Sequence, residues 1–461
     1  MADYAEKMTP LAGWGRYRPA MCRVLRPVSQ PELAGLLADG GTGRRIARGL
    51  GRSYGDTAVN ADGAVVDMTR LNRMTAFDEE TGVLDCEAGV SLSEILEVFV
   101  PRGWMPAVLP GTRFVTVGGA IANDVHGKNH HLDGSFGDHV ASLTLWTPAL
   151  GAVECSPERD PELFWATVGG VGLTGVILST RLRLRSIASA WVSVDYVRCA
   201  NLQEALDAFS ESDKDYQYSV AWVDCLSGEE SLGRSVLMRG NPAPAAMLPP
   251  ARSLKPFDIP RRPTLSVPVD FPQFLLNPYS IRAFNDVFYS LHKTSKGHLV
   301  DYEKYFFPLD RILHWNRMYG RRGFVQYQAT FPLERTDGLR RLLELCSRAK
   351  RASFLAVLKR FGAEGRGLLS HPMPGHTITL DIPNAPGLED FLRELDAVLL
   401  DAGGRLYLAK DAVATPGAIA AMYPRLDAFR AVCRRADPDG LMSSNLSRRL
   451  ALTGNGEAAH D

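Results

Sequence analysis

Over the first part of the chain, apolar and polar positions alternate in short runs separated by glycine-rich turns. Residues 46–48, 64–68 and 83–87 read as strands. Ser91 followed by Glu94 is a capping box ahead of the apolar run Ile95, Leu96, Val98 and Phe99, and Pro101 ends that helix. Beyond residue 190 the runs lengthen. A strand is expected at 191–199, then a helix capped by Asn201 with Glu204. The later order is strand 324–331, helix 337–350, strands 354–361 and 377–382, and helix 388–402. Gly403 and Gly404 stop that helix, and a strand at 405–408 follows. This grammar predicts an α+β protein whose second part is an antiparallel sheet with helices on one face. The expected division is 1–189, 190–404 and a C-terminal segment, 405–461, returning to the first domain. Residues 242–272 hold nine prolines and little periodicity, so no helix or inner strand is expected there. That stretch reads as a surface loop, either a lid or a disordered connection, and the tail after Leu452 reads as frayed.

Composition narrows the function. Apolar residues are 45% and charged residues 23%, ordinary values for a globular chain, and 461 residues suit two or three domains. The 52 basic and 52 acidic residues cancel, leaving no field to attract nucleic acid. Seven scattered cysteines, with no CxxC pair, fit a reducing compartment. No signal-like start or apolar run of spanning length is visible, so a cytoplasmic location with at most peripheral membrane contact is expected.

Three glycine-rich segments carry the candidate chemistry. The first, Arg48-Gly49-Leu50-Gly51-Arg52-Ser53-Tyr54-Gly55-Asp56, follows a strand, and its glycines allow the backbone N–H groups to converge as in an anion nest. Alone, such a glycine-rich run is more often just a turn, and its spacing is not the GxGxxG of a Rossmann fold. The second contains Gly111-Thr112, then Val117-Gly118-Gly119 to Ala122-Asn123, and runs into His126-Gly127-Lys128-Asn129-His130-His131. Its small residues would let backbone lie along a planar ligand, with His126 and Lys128 as polar contacts. A metal site is not expected, because His130 and His131 are adjacent and lack a carboxylate or cysteine at ligand spacing. The third, 162–177, includes Gly172 and Gly175-Val176-Ile177. Strand alternation puts Phe324, Gln326, Gln328 and Thr330 on one face, which is either solvated or a site for sugar hydroxyls.

In order and spacing these segments resemble the FAD-binding domain of the vanillyl-alcohol oxidase and p-cresol methylhydroxylase (PCMH) superfamily. Nearly the whole chain resembles the decaprenylphosphoryl-β-D-ribose oxidase family within it. The resemblance implies a two-domain PCMH-type fold with FAD held by Arg48 to Tyr54, by Gly111, Thr112, Val117, Gly118, Gly119, Ala122, Asn123, His126, Gly127 and Asn129, by Gly172, Gly175, Val176 and Ile177, and by Lys410. Arg52 stands where many relatives carry a histidine that tethers the flavin, which implies non-covalent FAD. Lys410, Tyr54 and His126 match residues beside the flavin ring and are the implied catalytic group. Lys128, Trp222, Phe306, Gln326, Gln328, Lys359, Thr377 and Thr379 are the implied substrate contacts, with Lys359 suited to a phosphate and Trp222 and Phe306 as apolar walls. The implied reaction is oxidation of the 2'-hydroxyl of a polyprenyl-phosphoryl-β-D-ribose, the first half of an epimerisation giving an arabinose donor. An NAD(P)H-dependent short-chain reductase would complete it, and a quinone or other acceptor would take the electrons. A free-sugar or alditol oxidase is the alternative. Thr379 and Thr377 depart from the cysteine and asparagine found in relatives inactivated by nitroaromatic compounds, and Asn123 and Phe306 depart as well.

Overall fold

The computed structural model describes residues 6–38, 43–351 and 355–454. The short runs at the start of the chain build two sheets. One is four-stranded and mixed: the strand Ala20–Leu25 pairs antiparallel with Glu6–Leu11 and parallel with Ala64–Asp67, which pairs parallel with Arg45–Arg48. The other is antiparallel and centred on Val176–Ser186, which lies between Val83–Glu87 and Val140–Thr147. The capping box forms as expected on the helix Leu92–Phe99: Ser91 accepts from the Glu94 N–H, and Glu94 accepts from the Ser91 N–H at 2.7 Å.

The longer runs build an eight-stranded sheet, antiparallel throughout, that starts with Ser295–Asp301 and Trp191–Cys199 and ends with Gly375–Pro383, Phe324–Pro332 and Arg405–Leu406. The helices Leu202–Ser212, Thr336–Ala349 and Leu388–Asp401 pack against it. Alternation then places Val325, Tyr327, Ala329 and Phe331 on the opposite side of their strand from Gln326, Gln328 and Thr330. Residues on both sides are buried, which excludes the solvated reading of the glutamine face.

Two expectations are corrected. The strand expected at 405–408 ends at Leu406, because Tyr407 starts a turn closed by the Lys410 N–H donating to Tyr407 O at 2.8 Å. The proline-rich stretch is not devoid of regular structure: Pro250 opens the helical turn Pro250–Ser253, a position where its missing N–H costs nothing. Leu265–Ser266 also pairs, parallel with Ile312–Leu313. Phe354, the expected start of a strand, lies outside the described residues, and the strand is seen at Ala356–Phe361. Of the tail, 455–461 also lies outside them, whereas Leu452 is fully buried.

Candidate active site

The first glycine loop leaves the strand Arg45–Arg48 and walls a cavity with about 320 Å³ of open volume, shared between the small sheets and the eight-stranded one. Gly51 sits at φ +64°, where a Cβ would collide with the Arg48 guanidinium, and Gly49 backs onto the Thr116 hydroxyl. Both approaches require glycine. Arg48 braces the loop by donating to Ala58 O at 2.9 Å and Ala12 O at 2.8 Å. Arg52 donates to Phe114 O at 3.0 Å and lies 3.8 Å from the Trp14 ring centre. At the end of the loop Gly55 presses on the Asp411 carbonyl, and the Tyr54 N–H donates to Ala409 O at 2.9 Å. That junction seats Lys410 Nζ 3.8 Å from the centre of the Tyr54 ring.

The second and third segments supply the opposite wall. Gly111, Thr112, Gly118, Gly119, Ala122, Asn123 and His126 line the cavity, as do Gly172, Gly175 and Ile177. Gly172 and Gly175 have φ of +81° and +155°. Val171, immediately before Gly172, is held at φ 48°, a left-handed conformation that costs a β-branched residue roughly 1–3 kcal/mol. Its N–H donates to Ala122 O at 2.7 Å, so the strain ties the third segment to the second. Asn123 Oδ1 and His126 Nδ1 are buried without a hydrogen-bond partner. A glycine-walled groove bordered by the polar residues Thr112, Asn123 and His126 suits a flat, polar-edged cofactor such as a flavin dinucleotide.

The floor is the polar face of the large sheet. Gln328 stands opposite Thr379, Thr379 opposite Val357, and Gln326 opposite Asp381. The Gln328 amide nitrogen lies 2.8 Å from His126 Nε2. With the amide as donor, Nε2 accepts and the imidazole proton sits on the unpaired Nδ1. Burial, with Lys359 second, holds His126 well below its ordinary pKa and therefore neutral. Gln326 donates to Asp381 Oδ1 at 2.5 Å. Burial raises the Asp381 carboxyl to about 7. Burial also lowers Lys410 to about 7, with Asp381 acting to raise it and Lys359 to lower it. Lys359 is brought to about 8 by burial. Two lysines of the site and a carboxyl group buried beside it are thus all shifted by burial toward neutrality.

Most residues expected at the site line this cavity, including Arg48 through Tyr54, Gln326, Gln328, Lys359, Thr379 and Lys410. Others do not. Val117 and Val176 are fully buried core residues, and Asn129 uses its amide to hold Ala107 O at 2.8 Å and Asp133 at 2.6 Å. Gly127 packs against that same Asn129 side chain. Thr377 is fully buried beneath Gln328, which donates to its hydroxyl at 3.4 Å. Trp222 packs on Phe288 with ring centres 4.6 Å apart. Lys128 donates to Tyr305 O and lies over the Tyr305 and Phe306 rings, away from the cavity, with burial lowering it to about 7. His130 accepts from the Gly362 N–H at 3.2 Å, and His131 meets Tyr216 O at 2.9 Å, so the two rings point to different partners. Sequence reading missed Trp14, Tyr407 and the stretch from Leu309 to Trp315, which line the cavity, and Asp381, which is buried against Gln326. Asp381 was accessible by continuing the alternation from Thr377 and Thr379. The 309–315 stretch has no periodicity to betray it.

A family model described as an FAD binding domain matches residues 23–156, and one described as D-arabinono-1,4-lactone oxidase matches residues 337–450. Over 452 residues the chain is 41% identical to decaprenylphosphoryl-beta-D-ribose oxidase of Mycolicibacterium smegmatis, covering 96% of this chain and 97% of that one. The chain belongs to that oxidase family. An uncharacterised Streptomyces coelicolor protein is 33% identical over 79% of this chain and all of its own length. L-gulono-1,4-lactone dehydrogenase of Mycobacterium tuberculosis is 24% identical over 96% of this chain and 99% of its own. Membership makes the protein an FAD-dependent oxidoreductase acting on a CH–OH group, with an α+β, PCMH-type fold. FAD is the cofactor that the glycine-walled half of the cavity fits.

Proposed function

We propose that the protein oxidises the 2'-hydroxyl of a polyprenyl-phosphoryl-β-D-ribose to the 2'-keto sugar, the first half of an epimerisation that yields an arabinose donor. The observation that carries this reading is the near full-length identity to an enzyme named for that substrate. Bound FAD supplies the hydride acceptor. The residues around it supply the rest. Gln326 and Gln328 offer amides to sugar hydroxyls, and Lys359 offers a cation to the phosphate. Lys410, with a pKa of about 7, is partly a free amine at neutral pH and accepts the hydroxyl proton. As an ammonium it then adds positive charge beside the ring. Neutral His126, oriented by Gln328, borders the cavity and helps shape the substrate and flavin pocket. Arg52, engaged by Phe114 O and Trp14 and devoid of nucleophilic character, supports non-covalent FAD.

In this reading residues 1–189 with 405–461 form the FAD domain and 190–404 the substrate domain, a short-chain reductase consumes the keto sugar, and a quinone-like acceptor reoxidises the flavin. The match of residues 337–450 to a sugar-lactone oxidase supports a second reading, oxidation of a free sugar or alditol with oxygen as acceptor. Lys410→Ala tests the assigned chemistry. The variant should retain its yellow colour and lose substrate-dependent flavin bleaching by a factor on the order of 10²–10⁴. Unchanged bleaching would remove Lys410 from the mechanism.

A further inference from the structure

The six most exposed large hydrophobic side chains among the described residues, from Leu265 at 62% to Leu254 and Tyr279 at 85%, all lie within residues 254–291. They cluster along the sequence, and exposed apolar side chains mark a contact surface where they also lie together in space. The helix Pro278–Leu291 explains part of it. Its inner side buries Ile281 and Asn285, with Asn285 donating to Asp224 at 2.6 Å, and Phe288 packs on Trp222. Tyr279, Ala283, Val287 and Leu291, spaced by four, form a second apolar stripe exposed to solvent. Upstream, Leu265, Val269 and Phe274 are exposed on the segment that runs beside the cavity wall. The Leu265 N–H donates to Arg311 O at 2.8 Å and the Val267 N–H to Leu313 O at 3.0 Å. Leu313 itself both lines the cavity and is 39% exposed, so the Leu265 to Val267 part of this segment borders the cavity mouth.

Charge identifies the occupant. The chain is neutral overall, yet residues 247–298 hold seven Lys/Arg against three Asp. Two of those aspartates are paired with cations outside the stretch, Asp270 with Arg16 and Asp286 with Arg234. Lys255, Arg261, Arg282, Lys293 and Lys296 make no ion pair among the described residues. An amphipathic helix with an exposed apolar stripe, flanked by free cations, is the pattern of an element lying in an anionic lipid interface.

We propose that residues 254–296 form a docking surface for an anionic bilayer and present the cavity mouth to it. Its purpose rests on the lipid-linked substrate proposed above, but the surface is testable without substrate. The holoprotein should co-sediment with phosphatidylcholine vesicles containing phosphatidylglycerol, and much less with phosphatidylcholine alone or at high salt. The combined substitution Tyr279→Ser, Val287→Ser and Leu291→Ser should lower vesicle partition roughly ten-fold or more. So should Arg282→Glu with Lys293→Glu and Lys296→Glu, by removing attraction to the anionic headgroups. Both variants should keep their flavin absorbance, and both should be bleached normally by lipid-linked sugar in detergent. Wild-type protein that ignores anionic vesicles, or variants that bind them unchanged, would overturn the proposal. Self-association abolished by the serine variant, without vesicle binding, would also overturn it by assigning the patch to protein contact. A normal vesicle response with no bleaching by lipid-linked sugar in detergent would defeat the substrate reading while sustaining the surface.

Discussion

Lys410, Asp381 and Thr379 carry the consequences that belong to single residues. Lys410 and Asp381 sit at about 7 from opposite directions, the amine pushed down and the carboxyl pushed up by burial. As pH rises through 7, Lys410 loses its proton and becomes able to accept one, so kcat/KM for flavin bleaching should rise and then level off. A profile that falls over this range would exclude the free amine as the acting form. Because the Asp381 carboxylate favours the lysine's charged form, Asp381→Asn should move the acidic limb to lower pH, an effect that merely disturbed packing would not produce. Thr379 lines the cavity at the place where susceptible relatives carry cysteine. A threonine hydroxyl is a poor nucleophile toward a nitroso group. Intact-mass measurement after turnover with a nitroaromatic inhibitor should therefore show the unmodified chain, whereas Thr379→Cys should gain the adduct. A stable mass increase on the natural chain would contradict this.

At the scale of elements, the site depends on the junction between the first glycine loop, the Tyr407 to Asp411 turn and the C-terminal helix Asn445–Arg449. Arg449 makes that junction by donating to Asp56 at 2.8 Å and to Ala414 O at 2.9 Å, and by forming an ion pair with Asp411 at 2.8 Å. Arg449→Ala leaves two carboxylates facing each other without their cation, and should lower the unfolding free energy by about 3 kcal/mol. Urea denaturation checks that value, and weakened FAD retention should accompany it because Gly55 and Tyr54 pack on the same turn. What was legible in the sequence follows from local rules. The capping box, the period-two glutamines and the helix stops each depend on a few neighbouring residues. The 309–315 stretch, the strained Val171 and the Arg449 bridge are set by contacts across long sequence separations, which no local pattern encodes. The two-residue pairing of Leu265 with Ile312 is of this kind, and it is why the proline-rich stretch looked structureless. Lys128 and Trp222 show the converse limit: resemblance marked them for the substrate, but packing turns them toward Tyr305 and Phe288.

Taken whole, the molecule brings a glycine-walled groove from its small sheets against the polar face of one large antiparallel sheet, and the cavity between them carries all the proposed chemistry. The division of labour follows from composition. Glycines give a flat ligand close access to backbone, while the glutamine amides and Lys359 on the sheet are suited to hydroxyls and a phosphate. The apolar, cationic rim beside the cavity mouth suits a substrate that arrives within a membrane rather than from solution. Anaerobic flavin reduction separates the two readings at this scale. The holoprotein would be mixed, without oxygen, with polyprenyl-phosphoryl-β-D-ribose in detergent and, in parallel, with free pentoses and alditols. Loss of the visible flavin absorbance with the lipid-linked ribose alone is the predicted result; bleaching by free sugars or alditols, with none from the lipid-linked ribose, would contradict it.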